Sequence, residues 1–437
     1  MCRSRDLPPA ARSPEVSLTF SKAIASYLSR FAAAEIGEAA RAVRRYAHVV
    51  VIPVMAEQAS FLAGIKRACA SAAGPVLSIV VVNAPETASA AVHEANAALL
   101  CALAGARDVM VIDRASPGRR LGGRGGVGMA RKIGCDVALA LIAQGKVTRP
   151  WIHTTDADAT LPGDYFFAPE RAGDAVAITY PFVHAADART GDGRALLVYD
   201  IAIRAHVLGL RAAGSPYAFH TLGSAMAARA DAYAAVRGVP ARTGGEDFYL
   251  LQKLRKLGPV ARARTGPVIL ACRPSLRVAF GTGPAMARIS ATHARGEVHR
   301  ITDPACFALV GRWLALLDDV AEARNPAIAR ERIAAWKRAS GPEFWLATAA
   351  EASGAYAAIC RDHHNAPTAA AYKKRLSDGF DGLRTLRLVH ELAAIGLPDL
   401  AWPEAIRRAP YLEAVAHLAD PKDPAPLSRA LMALEET

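Results

Sequence analysis

The sequence lacks closely spaced pairs of cysteines. Its seven cysteines are spread widely over 437 residues, and no CxxC pattern occurs. The odd number and wide spacing argue against a disulfide framework and favour reduced thiols in a cytoplasmic protein. Cys360, His363 and His364 lie close together in sequence, but no second cluster of ligands accompanies them. We therefore interpret them as part of a surface helix or turn rather than a metal site.

Long apolar runs are missing as well. No stretch approaches the roughly 18 apolar residues that a transmembrane helix needs. The first five residues begin like a signal peptide, but Lys22 and Arg30 interrupt the apolar segment that follows. We therefore expect a cytoplasmic protein that at most makes peripheral contact with the inner face of a membrane.

Acidic residues are outnumbered by basic ones. Lys and Arg total 53 against 40 Asp and Glu, a surplus of 13 positive charges. The surplus fits an anionic partner such as nucleotide phosphates or an anionic membrane surface. No basic tail and no basic–aromatic recognition motif is present, which argues against nucleic acid. With 52% hydrophobic and 21% charged residues, the chain is globular and long enough for two or three domains.

The sequence does contain an alternation of strand-like and helix-like segments. Apolar, β-branched runs at 48–53, 76–83, 109–113 and 151–155 alternate with helical patterns at 60–73, 86–104 and 127–144. This order predicts an α/β fold with a mainly parallel central sheet flanked by helices. Ligands of such sheets bind at the carboxyl ends of the strands, where Glu57, Asn83, Asp113 and Asp156 are expected. Asp113 taken alone is equally typical of a turn.

The fourth strand-like run ends in Asp156-Ala157-Asp158. Alternate residues of an extended chain point the same way, so Asp156 and Asp158 can face one cation. A magnesium-type ion that carries substrate phosphates needs only one or two carboxylates from the protein. The motif therefore predicts a Mg²⁺ or Mn²⁺ site for a diphosphate-bearing substrate.

A glycine-rich, basic segment, Gly122–Gly128, precedes the third helix. It contains GxGxxG, but residues 114–121 separate it from the preceding strand, which weakens a dinucleotide-binding interpretation. A phosphate-facing loop with charge from Arg119, Arg120 and Arg124 fits better. A solvated flexible connection is the alternative.

Two further pairs of charged residues lie near helix starts. Arg131 and Lys132 are unfavourable beside a helix N-terminus, so a bound anion or nearby carboxylates would compensate them, although plain exposure is equally compatible. Glu246 and Asp247 open a later helix, where carboxylates are favourable as caps. The functional interpretation makes Asp247 a general base.

Together these motifs resemble family 2 glycosyltransferases, which have the Rossmann-like GT-A fold. The similar segments are Val50–Glu57 (opening strand), Gly126–Gly134 (helix before the metal motif), Asp156–Asp158 (DxD motif, followed by Leu161, Pro162 and Tyr165), Gly223–Arg229 (acceptor side) and Gly245–Asp247 (ED motif, followed by Leu250 and Leu251). They keep the family order from about residue 48 to 260. Asn83 stands where the family has an acidic residue that reads the base, and Lys132 where Asn is common, so the nucleotide stays open.

The resemblance implies metal-dependent transfer of a hexosyl group from a UDP- or GDP-sugar to a hydroxyl of a glycan, lipid or small molecule. The implied site residues are Asp156 and Asp158 for Mg²⁺ or Mn²⁺, with Asp156 toward the ion or ribose; Pro53, Glu57, Asn83, Arg131 and Lys132 for the donor; and Asp247 as general base with Glu246 orienting it. Transfer is expected to be inverting if Asp247 is the base.

The sequence also predicts three parts and leaves rival functions open. The parts are an N-terminal helical extension (1–45), a GT-A domain (46–290) and a mostly helical C-terminal region (291–437) that shapes the acceptor site or an oligomer contact. Rivals are a retaining glycosyltransferase, a nucleotidyltransferase and a degenerate nucleotide-binding scaffold. A nucleotidyltransferase normally has its glycine-rich loop after the first strand, where this chain has Met55–Gln58.

Two hypotheses concern the segment after the core. Pro274–Arg277 and Gly281–Gly283 form a Gly/Arg-containing stretch that is predicted to close over the diphosphate. His293 or His299 is hypothesised to approach the metal site.

Overall fold

The computed structural model describes residues 14–122, 126–242, 244–271, 281–360 and 366–436. The strands in chain order are β1 (His48–Val54), β2 (Val76–Asn83), β3 (Val109–Arg114), β4 (Trp151–Thr154), β5 (Ala159–Thr160), β6 (Ala177–Thr179), β7 (Phe182–Ala185), β8 (Met226–Arg229), β9 (Val260–Arg262), β10 (Val268–Ala271), β11 (Arg300–Ile301) and β12 (Leu400–Ala401). The α-helices are α1 (Pro14–Arg30), α2 (Leu62–Ser71), α3 (Ala90–Leu103), α4 (Gly126–Ala143), α5 (Gly191–Ala212), α6 (Ala230–Ala235), α7 (Glu246–Arg255), α8 (Thr282–Ala294), α9 (Ala305–Ala323), α10 (Ala327–Arg338), α11 (Pro342–Ala352), α12 (Ala355–Ile359), α13 (Ala369–Gly379), α14 (Gly382–Ile395), α15 (Trp402–Arg408) and α16 (Ala425–Leu434). Short 3-10 helices span Ala34–Arg41, Ala59–Phe61, Tyr165–Arg171 and Pro410–Leu418.

The chain forms two compact units. The first comprises Met1–Pro181, Gly223–Leu250 and Leu257–Gly266, and the second Phe182–Leu222, Leu251–Lys256 and Pro267–Thr437. The three-part division at residues 45 and 290 stays a prediction, because these units interleave along the chain.

The first unit contains a sheet with strand order β3-β2-β1-β4-β8-β6-β9. β1 pairs in parallel with β2 and β4, and β2 pairs in parallel with β3, whereas β8 runs antiparallel to β4 and β6. Every residue of β1 and β2 is buried, as expected of strands covered on both faces. The predicted α/β class with a mainly parallel sheet is confirmed. The carboxyl ends of β1 to β4 therefore meet at one edge.

Helix α4 packs closely on the centre of this sheet. A Cβ atom added at Gly134 would lie 2.3 Å from Cγ1 of Val51 and 3.1 Å from Cγ2 of Val81. Only a glycine allows the helix axis to come this near to β1 and β2. The close fit fixes the position of α4, and with it that of Arg131 near its N-terminus.

The N-terminal segment is attached to α4 through a buried carboxylate. Asp136 accepts hydrogen bonds from the Tyr27 hydroxyl (2.6 Å), the Tyr233 hydroxyl (2.7 Å), the Ala33 amide (2.8 Å) and Nζ of Lys132 (2.6 Å). Four donors compensate the loss of hydration of one buried charge. This cluster, which we call the Asp136 network, joins α1, α4 and α6.

The second unit is mainly helical, as the sequence after about residue 301 predicts. β7 pairs in parallel with β10, and β11 pairs antiparallel with β12. Its core has two apolar clusters, one around Trp313 and one around Trp402, which are 0% and 1% exposed. Across the described residues, no helix has both the length and the apolar character needed to cross a membrane.

Buried charges in the second unit are paired as well. The Arg204 guanidinium donates to Glu435 (2.7 Å) and to the carbonyl of Phe182 (2.8 Å). Nε2 of His220 lies 2.6 Å from the other oxygen of Glu435. These contacts attach the last turn of α16 to α5.

Candidate active site

A buried guanidinium lies at the centre of the predicted site. Nη2 of Arg131 donates to Oδ1 of Asp156 at 2.7 Å, and Nη1 donates to Oε1 of Glu246. The side chains of Arg131 and Glu246 are 3% and 4% exposed, whereas that of Asp156 is 38% exposed. Arg131 belongs to α4, Asp156 follows β4 and Glu246 begins α7. Three motifs that are distant in sequence therefore meet at one side chain.

Asp247 is held at the start of α7 by backbone donors. Its Oδ2 accepts from the Gly223 amide (2.8 Å), and its Oδ1 accepts from the Phe248 amide (2.7 Å). The carbonyl of Gly223 in turn accepts from Oγ1 of Thr154, the last residue of β4, at 2.7 Å. A carboxylate has about four lone-pair positions, so Asp247 keeps the capacity to accept a proton from another group.

Two glycines make this arrangement sterically feasible. A Cβ atom added at Gly223 would lie 2.6 Å from Cζ of Arg131. One added at Gly128 would lie 2.4 Å from the carbonyl oxygen of Arg242 and 3.1 Å from Cβ of Glu246. Glycine is therefore needed at position 128 for the close approach of α4 and α7, and at position 223 it leaves room for the Arg131 guanidinium.

The carboxylates of the site repel one another. Burial raises the pKa of Asp156, Arg131 opposes that rise, and the charges of Asp158 and Asp247 add to it, so the pKa lies above its ordinary value. The charges of Asp158 and Asp247 are therefore both within electrostatic reach of Asp156. A cation bound there would relieve the repulsion.

The donor set fits a partly open site for a hard cation. Among the described residues, no three or more His, Cys, Asp or Glu side chains are grouped so that they could hold a metal ion. Asp156 and Asp158 are the two carboxylates that the DxD motif offers to a cation. This is the usual arrangement of magnesium that is bound together with a phosphorylated substrate.

Asn83 anchors the backbone that follows β1. Its Nδ2 donates to the carbonyl of Val54 (2.9 Å), and its own carbonyl accepts from Nδ2 of Asn96 (3.0 Å). The Asn96 side chain accepts from the amide of Ala56 (2.8 Å), which has a positive φ of 54°. Half-buried Glu57 comes next in the chain. Asn83 thus acts on this loop, and its direct contact with the donor stays a prediction.

Two other predicted donor contacts have different surroundings. Nζ of Lys132 donates to the Tyr27 hydroxyl (2.7 Å), the Phe31 carbonyl (3.0 Å) and Asp136 (2.6 Å), so its charge belongs to the Asp136 network. Pro53 is buried within β1. Both donor contacts stay predictions.

Asp113, near the end of β3, binds the backbone of the turn that follows the strand. Its Oδ1 accepts from the amides of Ala115 and Ser116, both at 2.9 Å. These bonds lower its pKa against the opposing effect of burial. The turn alternative is therefore the one that the structure supports.

The arginines before the glycine-rich loop are near acidic groups. Arg119 lies 3.8 Å from Asp113, and Arg120 lies 3.5 Å from Glu86. The other predicted elements of this kind fall outside the described residues: Gly123, Arg124 and Gly125 of the loop, Pro274–Arg277, and His363 with His364.

The histidines after the core belong to the second unit. Burial lowers the pKa of His293, helped by Arg194, and burial also lowers the pKa of His299, helped by His293 and Arg288. Both imidazoles are half-buried. Their predicted approach to the metal stays a prediction.

The bridging role of Arg131 and the bond between Thr154 and Gly223 were not predicted from the sequence. The bridging role of Arg131 could have been suspected, because α4 is buried on nearly every side and carries few charges. A charged residue in such a helix needs a buried partner. The identity of that partner cannot be deduced from local sequence.

No protein-family model and no curated protein sequence matches the chain. One similar solved structure is a mannosyltransferase from Pyrobaculum calidifontis in complex with GDP-Man and Mn²⁺, which is 18% identical over 83% of this chain and 96% of that chain, with a TM-score of 0.34. Another is glucosyl-3-phosphoglycerate synthase from Mycobacterium tuberculosis in complex with Mn²⁺, UDP and glucosyl-3-phosphoglycerate, 18% identical over 61% of this chain and 87% of that chain, with a TM-score of 0.35. Overlaps this loose carry no argument about activity, which has to rest on this chain's own side chains.

Proposed function

We propose that this chain is a metal-dependent glycosyltransferase that moves a sugar from a nucleotide-sugar donor to an acceptor hydroxyl. The carrying observation is that Arg131 bridges Asp156, at the carboxyl end of β4, and Glu246, the neighbour of Asp247, while the charges of Asp158 and Asp247 both reach Asp156. Metal-bound diphosphate and a general base are the two requirements of this reaction, and the carboxylates are divided between them. The order of motifs that resembles family 2 glycosyltransferases supports the same assignment.

In the donor half, Asp158 and Asp156 would hold Mg²⁺ or Mn²⁺. The ion, when bound, neutralises charge that develops on the leaving diphosphate. Glu57 would line the nucleoside side, because the loop that carries it is anchored by Asn83 and Asn96. A UDP- or GDP-sugar fits these groups equally.

In the acceptor half, Asp247 would act as the general base. The proton of the acceptor hydroxyl passes to Asp247 as the hydroxyl oxygen attacks the anomeric carbon. The bond between that carbon and the diphosphate breaks in the same displacement, so the configuration inverts. The amides of Gly223 and Phe248 keep the carboxylate in one orientation.

The test is a panel of UDP- and GDP-sugars assayed with and without Mg²⁺ or Mn²⁺, by thermal shift and by donor hydrolysis. Metal-dependent binding with release of nucleoside diphosphate is expected. Absence of binding to every donor with either ion would overturn the proposal, and release of pyrophosphate would identify a nucleotidyltransferase. The anomer of the product, determined by NMR, distinguishes inversion from retention.

A further inference from the structure

We propose that Arg131 is a positioning residue that couples the donor half of the site to the general base. The catalytic part of this inference rests on the proposed function, because it explains how Asp156 and Asp247 keep fixed positions relative to each other. The coupling itself is a property of the fold and can be measured without a substrate.

The guanidinium bridges two carboxylates from different elements. It is 3% exposed, and separate nitrogens donate to Asp156 and Glu246. A planar guanidinium donates in fixed directions, so it sets both the distance and the angle between its partners. A lysine ammonium is a single point charge on a flexible stem and cannot define that geometry.

Two short routes lead from Arg131 to Asp247. The first passes through Glu246, which precedes Asp247 in α7. The second passes through Gly223, whose Cα packs so closely on the guanidinium that an added Cβ would lie 2.6 Å from Cζ. The amide of the same Gly223 donates to Oδ2 of Asp247 at 2.8 Å. A displacement of the guanidinium therefore shifts both Glu246 and Gly223, the two neighbours through which Asp247 is positioned.

The side chain is not held in place by complete hydrogen bonding. Nε of Arg131 is buried and has no hydrogen-bond partner in the described part of the chain. Because an unsatisfied buried donor is unfavourable, the two carboxylate contacts must account for the retained position. Loss of either carboxylate leaves the guanidinium free to move toward the other one. Asp156 is the exposed member of the set and is thus the one that a ligand can reach.

The first test measures amide hydrogen exchange at Gly223 and Phe248, the two amides that Asp247 accepts. Asp156→Asn keeps Arg131 and Glu246 and alters only the 38% exposed partner, so the variant is expected to fold. We expect exchange at both amides to accelerate about fivefold or more, the lower end of typical coupling. Arg131→Lys should produce the same acceleration.

The matched control is Arg149→Lys. It makes the same chemical change in an ion pair with Glu170 (2.7 Å) near the opposite end of β4. Exchange at Gly223 and Phe248 should stay at the wild-type rate. If Asp156→Asn leaves both amides as protected as in the wild type, the coupling is absent.

The second test uses the donor identified for the wild type. Arg131→Lys should lower kcat more than about tenfold, and by a larger factor than it raises the donor KM, since the general base is displaced as well as Asp156. An unchanged kcat would overturn the positioning role even though sugar transfer is established. If the wild type binds no donor, the proposed function fails, and the exchange measurement still decides on the coupling.

Discussion

Two buried charges in helix α4, only five residues apart, differ in how completely they are satisfied. Asp136 is 0% exposed and accepts four hydrogen bonds. Arg131 is nearly as buried, yet its Nε has no partner among the described residues, and one of its carboxylates is 38% exposed. A closed network of this kind stabilises a fold. An open one connects the interior to a surface where a ligand can bind.

The helix itself separates the two networks. Adjacent residues of an α-helix point about 100° apart, so Arg131 faces Asp156 while Lys132 faces the N-terminal segment. Residues four apart share a face, and Lys132 accordingly pairs with Asp136. The predictions that follow break one network at a time and run from the largest expected effect to the smallest.

Asp247→Asn should have the largest effect on chemistry. The amide keeps the size of the side chain but cannot accept a proton at the moment of attack. We expect transfer to fall about 10²- to 10⁴-fold with little change in donor affinity. Steady-state transfer and calorimetric donor titration with Mn²⁺ measure the two quantities. Transfer at the wild-type rate would show that another group is the base.

Asp136→Ala should have the largest effect on stability. The substitution removes the carboxylate that accepts hydrogen bonds from Lys132, Tyr27 and Tyr233, so these buried donors lose their partner. We expect the free energy of unfolding to fall by about 3–5 kcal/mol. Urea denaturation measures the loss.

The control for Asp136 is Glu170→Ala, which removes a 44% exposed partner of Arg149. Its effect should stay within about 1 kcal/mol, the usual range of surface pairs. Equal losses in the two variants would mean that the Asp136 network does not stabilise the fold as its geometry implies.

Asp158→Asn should separate metal binding from stability. We expect metal-dependent donor affinity to fall at least about tenfold, because one of two carboxylates toward the ion becomes neutral. The melting temperature without ligand should change little. Donor titrations with and without Mn²⁺ test this, and an undiminished metal dependence would remove Asp158 from the site.

The sequence predicted those features that depend on local pattern. β2 matches its expected span of 76–83 at both ends, because an apolar strand buried on both faces is continuous in sequence. Asp156 and Asp247 were placed correctly after a strand and at a helix start for similar reasons. These positions follow from chain direction and helix capping alone.

Long-range pairing was not predictable in the same way. Arg131 and Glu246 are 115 residues apart, and nothing in the local pattern of either one indicates the other. The motif assigns Lys132 to the donor together with Arg131, and that assignment stays a prediction. The two side chains point about 100° apart around the helix, and Lys132 has Tyr27 and Asp136 as its partners.

His153 is a third buried polar group, and its charge depends on pH. His153 is 0% exposed; its Nδ1 lies 3.0 Å from the Tyr180 hydroxyl, and its Nε2 has no partner in the described chain. Burial, with a smaller contribution from the nearby His48, lowers its pKa to about 3. In the unfolded chain His153 takes up a proton below about pH 6.5, whereas in the folded protein it stays neutral. The free energy of unfolding therefore has its full value above about pH 6.5 and decreases as the pH falls below it.

The last expected effect is an acid-dependent loss of about 2 kcal/mol in the free energy of unfolding at pH 5, relative to pH 7, that is due to His153. Urea denaturation at pH 7, 6 and 5 measures it. His153→Gln removes the titrating ring, and its stability should fall less steeply with acid, by about one proton in the slope below pH 6.5. An unchanged slope in this variant would show that groups other than His153 cause the acid sensitivity. A reduced slope would instead show that His153, a neutral buried group with an unsatisfied nitrogen, limits acid stability, in contrast to the charged Arg131.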